Sequence, residues 1–159
     1  AITINFPTPQ PKAKYAKKRL VHVDHLMLYR PLFAAGATVT LRTDSKPLRD
    51  YALGQFAAAG YDTLWVSDDV RRDHPEHPET EYECRTREMG AVVYGICATP
   101  GAQPSDDALA AARMQEQSLA CYLPDDLDEL TYVPLGMEEA VENFKNRARK
   151  GKKRLPQES

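Results

Sequence analysis

Hydrophobic and polar positions alternate in some stretches of this chain and recur at helical spacing in others. Alternating or β-branched runs predict strands at residues 2–6, 37–43, 61–66 and 91–98. Apolar residues three or four positions apart predict helices at 23–35, 46–59, 106–119 and 137–150. Residues 82–89 fit either a helix or an extended segment, and 67–79 form a loop too polar to bury. Strands and helices therefore alternate, which is typical of an α/β fold with a mostly parallel sheet.

A stretch rich in turn-forming residues interrupts this pattern. The segment 99–107, TPGAQPSDD, combines prolines and a glycine with acidic residues, and such a composition is typical of a linker. We therefore expect a first unit at 1–98 and a helical extension at 108–159. The extension ends in KGKKRLPQES, which predicts a flexible basic tail.

The amino-acid composition indicates which class of protein this is. A length of 159 residues with 42% hydrophobic and 28% charged residues predicts one soluble globular domain with its own core. The three cysteines are scattered and odd in number, so we expect reduced thiols in a cytoplasmic protein. No apolar run reaches membrane-spanning length, and we expect no association with membranes.

Four short motifs follow one another within the first unit. In chain order they are Phe6-Pro7-x-Pro9 running into Lys12 and KYAKKRL, Thr43-Asp44, Thr80-Glu81-Tyr82-Glu83, and Gly90-x-x-x-Tyr94. In their order and spacing, residues 1–98 resemble the C-terminal half of the tRNA (guanine-N7)-methyltransferase family. Members of that family use S-adenosylmethionine to methylate a guanine in the variable loop of tRNA.

The resemblance implies a fold and a function. The expected fold is α/β: a Rossmann-like methyltransferase half-sheet, mostly parallel with an antiparallel last strand, followed by the helical extension. The expected function is methyl transfer from S-adenosylmethionine to a tRNA guanine, with tRNA as the partner. In the family fold, the strand that matches residues 2–6 lies in mid-sheet, and an unpaired edge there is a liability. Either the other half of the sheet is supplied elsewhere, or a partner chain or second copy covers this edge.

The resemblance also implies site residues. Thr8 stands at the position of the family's active-site aspartate, and Lys12 is expected near the substrate. A carboxylate at the purine edge can accept hydrogen bonds from guanine N1–H and from its exocyclic amine. The residues implied for this role are Asp44, Thr80 and Glu83. Guanine N7 carries a lone pair and no proton, so its methylation needs alignment and charge stabilisation instead of a base.

Local capping offers an alternative interpretation of the same motifs. Thr43-Asp44-Ser45 precedes a predicted helix and could supply its N-cap. Thr80 and Glu83 have the T-x-x-E spacing of a capping box. The capping and substrate-binding roles can both hold for one residue.

The chain departs from the family pattern at two places in the first motif and throughout the donor site. Thr8 replaces the aspartate, Gln10 replaces a tryptophan, and the sequence contains no G-x-G turn. A second hypothesis is therefore a catalytically inactive RNA-binding module related to the family. A methyltransferase acting on a small molecule is a third, which the cationic loop argues against.

Charge is concentrated in the segment that follows the first motif. Pro7, Pro9 and Pro11 stiffen the chain there. The cations expected to bind RNA phosphates are Lys14, Lys17, Lys18 and Arg19. The alternative is a solvated loop. A second basic stretch at 145–154 either extends the RNA surface or serves only solubility.

Two histidine pairs raise the question of a metal. His22 and His25 flank Asp24, while His74 and His77 lie in DHPEHPE, where prolines prevent a shared helical face. Neither pair has a cysteine at the spacing of a metal site. The sequence therefore predicts no metal site.

Overall fold

Four strands form one sheet in the computed structural model, which describes residues 1–152. They are β1 (Ile2–Asn5), β2 (Val39–Thr43), β3 (Tyr61–Ser67) and β4 (Tyr94–Pro100). The strand order is β1-β2-β4-β3. β1 runs parallel to β2, and β4 runs antiparallel to both of its neighbours. Three strands therefore share one direction and the last is reversed between two of them, which confirms the predicted α/β fold class.

Helices connect and cover these strands. The α-helices within residues 1–152 are α1 (Val23–Tyr29), α2 (Lys46–Ala58), α3 (Val70–Asp73), α4 (Glu81–Glu88), α5 (Asp106–Met114) and α6 (Glu138–Lys152). The ambiguous segment 82–89 is thus helical. The segment 67–79 contains the short helix α3, and Val70 on it is fully buried, so the prediction that the whole segment is too polar to bury is wrong.

Hydroxyl side chains begin three of the helices. Ser45, Thr80 and Ser105 each accept a hydrogen bond from a backbone N–H three residues later, which satisfies one of the unpaired donors of the first turn. Gly60 ends α2 with φ 75°, where an added Cβ would lie 2.3 Å from the Ala102 carbonyl oxygen. These caps set where the chain leaves each element.

The hydrophobic core draws on both parts of the chain. Leu41 and Ile96 of the sheet and Phe56 of α2 are fully buried. Leu119 and Met137, from beyond residue 108, are fully buried in the same cluster. The predicted linker 99–107 contains the last two residues of β4 and the first residues of α5. The extension therefore packs on the sheet unit directly.

The two edge strands of the sheet are β1 and β3. Leu64 and Val66 of β3 are exposed. Among residues 1–152, no helix is long and apolar enough to cross a lipid bilayer. The predicted flexible tail falls largely on residues 153–159, which lie outside the described part of the chain.

Candidate functional site

The proline segment after β1 has an unusual backbone. Phe6 and Gln10 adopt φ angles of 48° and 50°, in the left-handed region that bulky residues rarely occupy. The Phe6 N–H donates to the Arg42 carbonyl at 2.8 Å and so extends the pairing of β1 with β2. Between these two residues, Thr8 is exposed to solvent. The backbone thus turns sharply at the carboxyl end of β1 and presents Thr8 outward.

Asp44 lies directly after β2 and is 94% buried, with 6% of its surface exposed. Its Oδ2 atom accepts hydrogen bonds from the hydroxyls of Tyr132, at 2.7 Å, and Tyr82, at 3.1 Å. Burial, reinforced by the Asp44 carboxylate, raises the pKa of Tyr82 to about 12 and also raises the pKa of Tyr132. The N-cap of α2 is Ser45, so Asp44 does not serve as that cap.

Glu83 has a different environment from the one expected of a substrate ligand. It is fully buried, and its carboxylate binds Arg42 through one oxygen and Arg71, at 2.8 Å, through the other. Because a buried carboxylate already shared by two guanidinium groups is not open to a purine, the prediction that Glu83 contacts substrate is wrong for this conformation. Its role is to fix the two arginines.

Thr80 begins α4. Its hydroxyl oxygen accepts from the Glu83 N–H at 3.1 Å, which is the capping interpretation of the T-x-x-E spacing. The Glu83 carboxylate binds the arginines instead of returning to the cap. Tyr82 lies in the first turn of this helix, and the Phe6 and Tyr82 rings are 4.9 Å apart. The cap therefore positions the helix that brings Tyr82 to Asp44.

The cationic segment forms a 3₁₀ turn over Ala13–Lys18. Lys14, Lys17 and Lys18 are exposed, and the ammonium groups of Lys14 and Lys18 lie 4.9 and 4.8 Å from the centre of the Tyr15 ring. Their charges are thus presented to solvent from one short turn.

Arg19 does not belong with these lysines. It is 1% exposed, and its guanidinium donates to the carbonyls of Pro9, Gln10 and Gln117. Burial lowers the pKa of Arg19 despite the opposing effect of Tyr51. The prediction that Arg19 binds phosphate is therefore wrong for this conformation, because its side chain holds the proline segment against the extension.

Lys12 lies beside the extension. Its ammonium group is 3.1 Å from the Glu139 carboxylate of α6, and both side chains are mostly exposed. They line a cleft of about 470 Å³ together with Tyr15, Phe144 and Arg147. An exposed pair of this kind is weak, so Lys12 is available to an anion that enters the cleft.

The structure thus brings some predicted residues together and separates others. Asp44, Tyr82 and Phe6 meet at the carboxyl ends of β1 and β2. The Lys12 cleft is a neighbouring feature, joined to this site by the extension segment that carries both Tyr132 and Glu139. Thr80 and Glu83 support the site from behind.

Two residues of the site, Arg42 and Tyr132, were not predicted from the sequence. Arg42 is the last residue but one of a strand rich in β-branched residues, and a charge there signals a buried partner. Tyr132 comes from a segment with no clear pattern, 88 positions from Asp44, and no local signal could have identified it.

A methyl donor such as S-adenosylmethionine needs a larger cavity and a different backbone cradle than the described residues provide. The cavity beside Asp44 and Tyr132 measures about 100 Å³, well below the roughly 300 Å³ of ordinary ligand sites. Within residues 1–152, the glycines with positive φ are isolated at separate turns and form no glycine-rich phosphate or nucleoside cradle. The described residues therefore do not fit S-adenosylmethionine by themselves.

Fold and site together define a class of protein. The sheet has three strands in one direction, with a reversed strand between the last two, and it carries polar groups at the carboxyl ends of the strands. This arrangement is typical of a Rossmann-like methyltransferase. A sequence family described as "Putative methyltransferase" matches residues 1–96. The chain belongs to this methyltransferase family, which confirms the resemblance found in its motifs.

Curated relatives agree with this assignment. Proteins named tRNA (guanine-N(7)-)-methyltransferase from Streptococcus equi subsp. zooepidemicus and Exiguobacterium sibiricum are each 32% identical, over 97 and 99 residues. One of the same name from Alkaliphilus oremlandii is 34% identical over 94 residues. These matches cover 60%, 62% and 58% of this chain and 46%, 46% and 44% of the relatives. The chain spans about half the length of the curated relatives it matches.

Proposed function

We propose that this chain forms the guanine- and phosphate-binding part of a tRNA (guanine-N7)-methyltransferase that uses S-adenosylmethionine. The observation that carries the proposal is the buried Asp44 carboxylate at the carboxyl end of β2, in a chain whose family and relatives are methyltransferases. Ligands of open α/β sheets bind at that end of the strands.

Asp44 is suited to a purine edge. Its Oδ2 accepts hydrogen bonds from the Tyr82 and Tyr132 hydroxyls, so the carboxylate already serves as an acceptor for two donors. Guanine N1–H and the exocyclic amine would offer the same kind of donor. Because Tyr132 now takes part of that space, guanine would enter by replacing the Tyr132 hydroxyl while Tyr82 keeps its bond.

Loss of the family aspartate at Thr8 is compatible with transfer to N7. Guanine N7 carries a lone pair and no proton, so its methylation would need no base among this chain's residues. The chain's own contribution would be to hold the base and exclude water, which is a matter of positioning. S-adenosylmethionine would supply the methyl group, from contacts beyond those that the described residues provide.

The exposed lysines are proposed to bind the tRNA backbone. Lys14, Lys17 and Lys18 present three charges from one turn, and phosphate contacts of this kind give affinity without reading sequence. Lys12, held only by an exposed pair with Glu139, would add a fourth contact near the base.

The test of the phosphate surface is tRNA binding by the full chain at several salt concentrations. Changing Lys14, Lys17 and Lys18 to Ala should weaken binding and reduce the slope of log K against log salt by about 2. A matched control removes three exposed arginines of α3 and α4: Arg72, Arg85 and Arg87. Equal losses in both triple variants would contradict the proposal.

A second candidate is a non-catalytic RNA-binding module of the same family. Two observations favour it: Thr8 carries no charge, and Tyr132 occupies the Asp44 carboxylate. Calorimetric titration with S-adenosylmethionine and methylation of unmodified tRNA separate the candidates. Donor binding with methyl incorporation supports the enzyme, while tRNA binding without either supports the module.

A further inference from the structure

The segment between α3 and α4 brings together side chains that the sequence places on no common helical face. His74, Glu76 and His77 each offer one ligand atom, and these atoms lie within 4.8 Å of one another. His74 Nδ1 is 3.4 Å and His77 Nε2 is 3.8 Å from Glu76 Oε1. A turn closed by the His77 N–H and the His74 carbonyl, at 3.1 Å, produces this arrangement.

The protein holds this turn from both sides. Trp65 of β3 stacks on the His74 ring, with centroids 4.0 Å apart and planes 25° from parallel, so Trp65 faces this cluster and is only half-buried. Arg71 donates to the His77 carbonyl and Arg42 to the Pro78 carbonyl, each at 2.8 Å. Both arginines are fixed by Glu83. The turn is thus preorganised by buried charges.

We propose that His74, Glu76 and His77 form a binding site for a borderline divalent transition metal such as Zn²⁺ or Ni²⁺. Ligands around such an ion stand about 2.0–2.2 Å from it, and therefore roughly 3.3 Å from one another in a tetrahedron. The two distances to Glu76 Oε1, 3.4 and 3.8 Å, need only a small contraction to reach that spacing.

The donor set selects the kind of metal. Two imidazoles with one carboxylate suit Zn²⁺, Ni²⁺ and Cu²⁺ better than Mg²⁺ or Ca²⁺, which prefer oxygen ligands alone. The imidazole side chains are 23% and 26% exposed and Glu76 is 67% exposed, which leaves room for water to complete the coordination. A bound ion would clamp the turn against Trp65 and thereby steady Arg42 behind the candidate purine site.

Trp65 provides a direct readout, because it is the chain's single tryptophan and stacks on a proposed ligand. Titration of the full chain with Ni²⁺, a paramagnetic quencher, should give saturable loss of Trp65 fluorescence with a one-to-one stoichiometry. Excess Zn²⁺, which has a filled d shell, should displace Ni²⁺ and restore the emission. Quenching without saturation below about 1 mM, or without recovery on adding Zn²⁺, overturns the proposal.

Variants assign the ligands. His77→Gln keeps the Trp65–His74 stack and should weaken Ni²⁺ binding at least about tenfold, as should Glu76→Gln. Glu79→Gln removes a carboxylate of the same segment that pairs with Arg87. This change should leave the midpoint of the Ni²⁺ titration unchanged. A double Cys84→Ser, Cys121→Ser variant, which removes the exposed thiols, should also leave it unchanged. Unaltered binding in His77→Gln, or loss in either control, contradicts the assignment.

Discussion

The charged side chains that matter most here are inside the protein. Arg42 and Glu83 are both at most 1% exposed, and Arg71 joins them from the surface. Burying such charges is costly unless each has a partner. Both oxygens of the Glu83 carboxylate pair with an arginine. The same two arginines also donate to the backbone carbonyls of His77 and Pro78. One carboxylate therefore organises the backbone of a whole segment.

Removing the charge of the Glu83 carboxylate should strongly destabilise the protein. We expect Glu83→Gln to lower the free energy of unfolding by about 3 kcal/mol, because Arg42 would be left buried without its counter-charge. Urea denaturation followed by circular dichroism measures the change. Glu81→Gln is the matched control: Glu81 is exposed and pairs with Arg85 one turn away, so its loss should cost less than about 0.5 kcal/mol.

At the scale of elements, the helices that frame the site are set by short-range signals. Ser45 begins α2 directly after Asp44, and Thr80 begins α4 two residues before Tyr82. Each cap fixes the first turn of a helix, and with it the direction of the side chain that reaches the site. Capping and site building are therefore coupled at these two positions.

Thr80 offers a way to separate capping from substrate contact. Thr80→Ala should destabilise the protein by about 1 kcal/mol, since the Glu83 N–H loses its acceptor, and Thr80→Ser should restore most of that loss. Thermal or chemical denaturation gives both values. If Thr80→Ala left stability unchanged but weakened binding of guanosine to the chain, the capping role would be refuted in favour of substrate contact.

For the whole molecule, the extension and the sheet unit share one core. Met137 is fully buried in the cluster that contains Leu41 and Phe56, whereas Met114 of α5 is 85% exposed. From the same part of the chain, Tyr132 reaches Asp44 and Glu139 pairs with Lys12 in the neighbouring cleft. The region beyond residue 96, where the family match ends, therefore contributes to both stability and the site.

The two methionines test how far the extension belongs to the fold. Met137→Ala should cost about 2–5 kcal/mol through lost burial and a cavity. Met114→Ala should change stability by no more than about 0.5 kcal/mol. Denaturation monitored by Trp65 fluorescence, which reports on the sheet unit, is the measurement. Equal, small effects of both variants would show that the extension folds apart from the sheet.

Two tyrosines with raised pKa values make the stability of the molecule sensitive to alkali. Burial raises the pKa of Tyr61 and Tyr82 from 10.0 to about 12. The unfolded chain therefore loses these phenolic protons first as pH rises. Their contribution to stability is full below pH 10 and is lost between about 10 and 12.

The free energy of unfolding, measured in urea from pH 8 to 11, should accordingly fall above pH 10. Tyr61→Phe should make that fall shallower, whatever its effect at neutral pH. A stability that stayed level up to pH 11 would be inconsistent with the raised pKa values.

Much of the fold follows from local pattern. Periodicity and caps act over one or two turns, so they predict the four strands and helix α2 to within a few residues. The reversed last strand was implied only by the family resemblance. The length of α1 was overestimated: it ends at Tyr29, and a 3₁₀ turn containing Pro31 follows. Proline there removes a backbone donor that a continuing helix would need.

The sequence by itself determined the alternation of strands and helices, the family, the exposed lysine turn and the position of Asp44 at a strand end. The elements and the strand end depend on neighbours a few positions apart, and the family on the order and spacing of four short motifs. Only the tertiary structure decided that Glu83 and Arg19 turn inward, that Tyr132 meets Asp44, and that Trp65 stacks on His74. Those contacts join residues between 9 and 98 positions apart, and no local pattern specifies them, because burial and packing of the complete chain choose the partner.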